Sequence, residues 1–343
     1  MTRVPSALAF ALILSIGCTG SAPTDPQPLP ASTAPEVAIR ELKLPAPLDD
    51  RDVEFSGMAW HGDALVLLPQ YPARWHDGPP CLYWIGKQAL LAHIDGEGEA
   101  PLDFTALPVD LGGVPDRVAD YQGFEGIAFR GDAVWLTVEC EDLGYVVRGW
   151  IEPDRSRLVL DAETLTPVPY PRAMKNMGFE TVVAAGDGAL TLFEANGAGL
   201  GRFGEREGTW LADTGELSPV GVEAIEFRIT DATALDAERR FWVSNYFYAS
   251  NTDLECPKDP LRTGPLETHD RYPWVERLVE LELVQKGKQQ HVQRSGRPPL
   301  WLQLADDKGR NWEGIVRLDD RGFLLVTDKY PRTIFAFVEL PGE

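Results

Sequence analysis

Ten polar side chains recur in this chain at nearly constant spacing. Five short segments read alike: Phe55-Ser56-Gly57-Met58, Phe124-Glu125-Gly126-Ile127, Phe179-Glu180-Thr181-Val182, Thr230-Asp231-Ala232-Thr233 and Trp312-Glu313-Gly314-Ile315. Each leads through a polar turn to a second apolar run that ends on Gln70, Glu139, Glu194, Asn245 or Asp328. The separations from the first polar residue to the last are 14, 14, 14, 14 and 15. A polar turn between two short apolar runs predicts a β-hairpin. The first residue of one hairpin strand and the last of the next lie at the same edge. All ten positions are therefore expected on one edge, and seven of them are carboxylates. Carboxylates crowded together hold protons or a cation. Oxygen donors in a loose shell suit Ca²⁺ better than Mg²⁺. Ser56, Glu125, Glu180, Asp231 and Glu313 are the expected metal ligands. No His falls in this register, so zinc is not expected there. Two plainer readings stand beside this one. Channel acids can tie blades together through backbone N–H groups, or a calcium ion can rivet the blades without taking part in chemistry.

Basic and aromatic residues follow the same edge: Tyr71-Pro72-Ala73-Arg74 after the first hairpin, Lys329-Tyr330-Pro331-Arg332 after the last, and Lys175 before the third motif. Arg grips phosphate or carboxylate in a fork. Arg74, Lys175, Asn245, Lys329 and Arg332 are the expected substrate contacts. Glu139, Glu194 and Asp328 are the expected catalytic carboxylates, one of them a general base for water oriented by the metal. The sequence holds no Gly-x-Ser-x-Gly, no His-Glu-x-x-His and no phosphate-binding Walker loop. A Ser–His arrangement assembled from distant residues stays open.

The elements that must carry these residues read as β throughout. Further strands are expected at 89–94, 102–109, 146–151, 158–160, 222–227, 275–284 and 300–304. Two hairpin strands plus two outer strands make the blade of a β-propeller. Five such units over 37–343 average about 61 residues each, above the usual ~40–50 per blade. Insertions at 71–87 and 246–273 account for the excess, and both leave from the polar edge. The segment 37–44 is expected to add the outermost strand to the last blade and close the ring, which removes exposed sheet edges. The expected fold class is all-β, a five-bladed propeller, with six blades as the alternative.

The 343 residues are 44% hydrophobic and 25% charged, enough for a sizeable core. A net charge of −21 argues against nucleic acid and against a polybasic membrane face. Residues 1–17 read as a signal peptide, with Arg3 before an apolar run too short to span a bilayer. Leu14-Ser15-Ile16-Gly17-Cys18 resembles a bacterial lipobox, although Ser15 stands where Leu is usual. Cys18 is then the lipidated residue and 18–36, with five prolines, an extended tether. Thr19 favours the outer membrane by the same resemblance, facing the periplasm or the cell surface. Export permits disulfides. Of Cys81, Cys140 and Cys256, the blade assignment pairs Cys81 with Cys140 and leaves one thiol over.

The Phe/Trp-Glu-Gly-Ile repeats with their Gly-Asp turns resemble the phytase-like (esterase-like activity of phytase) propellers and, more distantly, the calcium-activated nucleotidases. That resemblance implies an axial Ca²⁺ inside a Ser/Glu ring, with Asp231 a departure from it. The function expected is metal-dependent hydrolysis of a phosphate ester or anhydride on a small anionic substrate. A non-catalytic binding propeller and a lactone or ester hydrolase are the alternatives.

Overall fold

The computed structural model describes residues 36–74, 78–96, 100–200, 208–306 and 308–341. The expected signal peptide, the lipidated Cys18 and all of the tether except Glu36 lie outside them.

The chain opens with β1 (Ile39–Leu42) and then forms antiparallel meanders. The first unit is β2 (Phe55–His61), β3 (Ala64–Pro69), β4 (Cys81–Gly86) and β5 (Thr105–Asp110). The second is β6 (Gly123–Arg130), β7 (Ala133–Glu139), β8 (Leu143–Ile151) and β9 (Leu158–Pro169). The third is β10 (Thr181–Ala185), β11 (Gly188–Leu192), β12 (Gly208–Ala212) and β13 (Leu217–Val222). The fourth is β14 (Arg228–Ala232), β15 (Arg240–Phe247), β16 (Val275–Lys286) and β17 (Gln289–Arg294), with β18 (Leu300–Trp301) also paired to β16. The fifth is β19 (Trp312–Leu318), β20 (Gly322–Thr327) and β21 (Phe335–Glu339), and β1 completes it by pairing antiparallel with β21. The molecule is all-β and follows the plan of a β-propeller.

Two-residue Gly-Asp turns reverse the first three hairpins, with Gly62, Gly131 and Gly186 at φ of 57°, 59° and 50°. Only glycine adopts that backbone without cost. The innermost strands β2, β6, β10, β14 and β19 touch in a cycle, the last meeting the first. Their backbones come close enough that a Cβ on Gly126 would stand 2.4 Å from the Glu180 carbonyl oxygen.

The core is divided like the sheets. Met58, Leu65 and Leu324 fill the interface of the fifth and first units. Leu68 with Ile127, Trp135 with Val182, Ile229 with Leu190, and Trp242 with Ile315 mark the four other interfaces. The inner strands, such as β3, β11 and β20, are buried on both faces, whereas outer strands such as β5 alternate buried and exposed residues.

Four expectations for the elements are corrected. Residues 89–94 lie in a helix, α1 (Lys87–Asp95), not a strand. Its Ala and Leu residues favour helix, and Leu90 and Ile94 bury one stripe at a spacing of four. The strand expected at 222–227 ends at Val222, and that at 300–304 reaches only Trp301. The supposed insertion at 71–87 contains β4. Cys81 and Cys140 do not form a disulfide: they lie in different core clusters. Cys81 donates to the Tyr83 hydroxyl at 3.2 Å, and Cys140 to the Leu143 carbonyl at 2.6 Å.

Candidate functional site

A bulge sets the geometry of the inner strands. In the first unit Phe55 pairs with Pro69 and Gly57 with Leu68, so Ser56 is the extra residue. Glu125 and Glu313 occupy the same bulge in the second and fifth units. In the fourth unit the bulge falls between Ile229 and Asp231, which makes Thr230 the equivalent residue. A bulge re-aims one side chain and displaces everything after it by one. The expected alignment through Asp231 is therefore one residue late. Asp231 stands where the other bulged units carry Gly57, Gly126 and Gly314. Its buried carboxylate accepts from the Ile315 N–H at 2.8 Å, and burial pushes its pKa well up.

The outgoing strand is shifted too. Asn245 pairs with Ile229, while Tyr246 pairs with Arg228 at the mouth. Asn245 is buried; it donates to the Glu226 and Arg228 carbonyls and accepts from Arg277 at 2.6 Å. It is not a substrate contact. The hydroxyls of the ring are also committed. Ser56 donates to the Phe124 carbonyl at 2.6 Å, and Thr230 bonds the equivalent Trp312 carbonyl. Both ties join one unit to the residue before the next unit's bulged Glu.

The remaining acids meet at a cavity of about 430 Å³ at one mouth of the propeller, reached by Glu125, Glu139, Glu180, Glu313 and Asp328. The expected convergence of successive hairpins thus holds for these five. Arg228, absent from the sequence expectations, divides them. Its Nε donates to Glu194 Oε2 at 2.5 Å and its Nη2 to Glu194 Oε1 at 2.9 Å. Nη2 also reaches Glu180 Oε1 at 3.1 Å. Glu194 is fully buried in this fork and is not a catalytic base. The guanidinium supplies, from the chain itself, the positive charge that an ion was expected to bring.

The other side has no such partner. Glu125 accepts from Gln70 Nε2 at 2.6 Å, and burial, then Glu139 and Glu313, push its pKa well up. Burial, then Glu194, raises Glu139 to about 7. Burial, then Asp328, raises Glu313. Asp328 is raised to about 6, by burial first and Glu54 after it, against Lys329. Glu125, Glu139, Glu313 and Asp328 form an acidic wall whose carboxyl groups keep their protons to higher pH than usual. Arg310, which also lines the cavity, is bound to Glu276 at 2.9 Å.

The expected phosphate clamp is not assembled. Arg74 stacks on Tyr71, and Arg332 pairs with Glu41 at 2.5 Å. Lys175 borders a neighbouring cavity beside Cys140 and Tyr170. Lys329 does line the mouth, paired with Glu54 at 2.8 Å. The five-ligand axial ring does not fit either. Ser56 and Asp231 bond backbone, Glu180 bonds Arg228, and no group of three or more His, Cys, Asp or Glu among the described residues stands as a metal would need.

Arg228 and Tyr246 escaped the sequence reading because the positions matching Arg228 are Glu54, Gly123, Gly178 and Asn311, with no common chemistry. Only the hairpin register identifies them.

The sequence matches no protein-family model and no curated protein. Among solved structures it is similar to a PQQ-bound aldose sugar dehydrogenase from Streptomyces coelicolor, with 14% identity, 91% of this chain and 100% of that one covered, and a TM-score of 0.45. It is similar to a Myxococcus xanthus glutaminyl cyclase at 10% identity, covering 90% and 100%, TM-score 0.38. A putative 6-phosphogluconolactonase from Bacteroides uniformis gives 12%, 79% and 63%, TM-score 0.35. These are not phytase-like or nucleotidase propellers, and no family match supports the resemblance read from the repeats, which is set aside. Likeness at this level says nothing of a reaction.

Proposed function

We propose that the protein is a five-bladed propeller hydrolase whose active site is the acidic mouth, acting on a small carboxyl ester or lactone by general acid–base catalysis. One observation supports this most: two carboxyl groups of a confined cavity, Asp328 and Glu139, are raised to about 6 and about 7. Catalytic acids and bases work best with pKa values near the working pH. Between those values Asp328 is ionised and Glu139 protonated. Asp328 takes a proton from water as the water oxygen attacks the carbonyl carbon. The tetrahedral carbon then expels an alkoxide, which takes the Glu139 proton. Solvent returns the Asp328 proton to Glu139. Asn176, which also lines the cavity, is the donor available to the developing oxyanion.

No step runs through an ion, because three of the five expected donors, Ser56, Asp231 and Glu180, are spent on backbone and on Arg228. The acidic wall also disfavours a phosphate. The site is read as exported and held at the outer membrane by lipid on Cys18, and loss of labelling with a fatty-acid probe in Cys18→Ser tests that part.

The test is an assay of carboxyl esters, lactones and phosphate monoesters, each in chelator and in added CaCl₂. Hydrolysis of an ester or lactone in chelator, lost by 10²-fold or more in Glu139→Gln with the fold intact, is the expected result. Phosphate release that needs calcium overturns the proposal. Ligand binding without turnover of any ester overturns it in favour of a non-catalytic binding propeller.

A further inference from the structure

The charges of the mouth do not balance. Arg228, Arg310 and Lys329 each already face a carboxylate: Glu194 and Glu180, Glu276, and Glu54. Glu125, Glu139, Glu313 and Asp328 have no cationic side chain to themselves apart from Lys329 beside Asp328. Glu180 adds a further sign of a missing partner. It is 6% exposed and lines the cavity, and its Oε2 has no hydrogen-bond partner. A buried carboxylate oxygen without a donor is costly unless something else approaches it.

The opening has a second chemistry. Three large apolar side chains are exposed among the described residues, and two of them, Tyr248 and Tyr330, border this cavity. Tyr248 comes from the 246–273 insertion and is braced against Trp274, with ring centroids 4.9 Å apart. Tyr330 follows β20 and has the Arg51 guanidinium over its ring, 5.3 Å from the centroid, so it offers its apolar edge and remaining surface to a ligand. Aromatic faces over a pocket of carboxylates attract cations that water hydrates weakly. A small, strongly hydrated metal gains little from tyrosine rings. An amine on an apolar frame gains from both.

We infer that the molecule entering the mouth is an organic cation, its charged nitrogen against Glu125 and Glu313 and its apolar part against Tyr248 and Tyr330. This rests on the reading of the mouth as the substrate site and narrows the substrate to esters or lactones that carry an amine or quaternary ammonium group. Binding such a cation draws Glu125 and Glu313, both raised first by burial, toward their ionised forms and leaves the Glu139 proton for catalysis, so it releases protons to solvent and strengthens as pH rises.

The experiment is calorimetric titration of the whole protein with benzylamine, benzyl alcohol, benzoate and CaCl₂, probes that cannot be hydrolysed. Benzylamine is expected to bind at least tenfold more tightly than the alcohol, with benzoate weakest and protons released into the buffer. Glu313→Gln is expected to lose tenfold or more for benzylamine and little for the alcohol. Tyr248→Leu, at a lip position outside the core, is expected to lose threefold or more while its melting temperature stays unchanged. Equal binding of benzylamine and benzyl alcohol overturns the inference, as does calcium binding that displaces benzylamine from a tighter site. Because no turnover is measured, an enzyme that hydrolyses neutral esters but ignores benzylamine defeats this inference and leaves the hydrolase standing.

Discussion

Arg228 decides the chemistry of the mouth. A buried guanidinium bonded to Glu194 and Glu180 removes two acids from the pool that would otherwise bind a cation. Breaking a buried pair by deleting one partner costs about 3–5 kcal/mol. Arg228→Met is expected to lose that much by chemical denaturation. The sign with pH follows. Burial raises the Glu180 pKa and Arg228 opposes it, so without Arg228 this carboxyl favours its proton still more in the folded state and its contribution is lost as pH rises. The deficit of the variant is expected to be larger at pH 8 than at pH 5. An equal deficit at both would mean that Arg228 acts through packing alone. In the native protein the raised groups Glu139 and Asp328 act in the same direction, costing stability as pH climbs through about 6 and 7.

The hairpin is the element that aims these residues, and its bulge is held by crowding at the axis. Gly126 lies after the bulged Glu125, and a methyl group there would sit 2.4 Å from the Glu180 carbonyl. Gly126→Ala is expected to cost about 1–3 kcal/mol, read from denaturant midpoints at unchanged slope. An alanine variant as stable as the native protein would show that the inner strands are not closely packed. This crowding also explains what was legible in the sequence. Alternation, turn chemistry and recurrence marked the hairpins, their common edge and the closing strand, because these follow from local residue types. The bulge was not legible, since one extra residue leaves no trace in composition. It moved the fourth unit from Asp231 and Asn245 to Thr230 and Tyr246, a shift that the regular spacing of 14 concealed. The helix at 87–95 was missed because an apolar run between turns suits either a strand or a short helix.

At the scale of the whole molecule, ring closure depends on the segment just after the expected tether. Glu36, assigned to that tether, is instead folded in: its carboxylate accepts from Thr268 N and Oγ1 and from His269 N and Nδ1. From there Val37 pairs with Leu302 and β1 with β21. His269 Nε2 accepts from the Glu276 N–H at 3.2 Å, so the latch reaches the residue that holds Arg310 at the mouth. Hydrogen bonds hold Glu36 below the usual carboxylate range against its burial, and burial lowers His269. Both groups contribute stability above their unfolded pKa values and lose it as pH falls. Glu36→Ala is expected to cost about 2–3 kcal/mol at pH 7, with the loss shrinking toward pH 4. A loss that grows on acidification would refute the latch.

The pH dependence of turnover tests the acidic mouth most directly. A bell-shaped kcat/KM with limbs near 6 and 7 is expected, the acid limb lost in Asp328→Asn and the alkaline limb in Glu139→Gln. A profile flat from pH 5 to 8, or limbs that survive both substitutions, would contradict it.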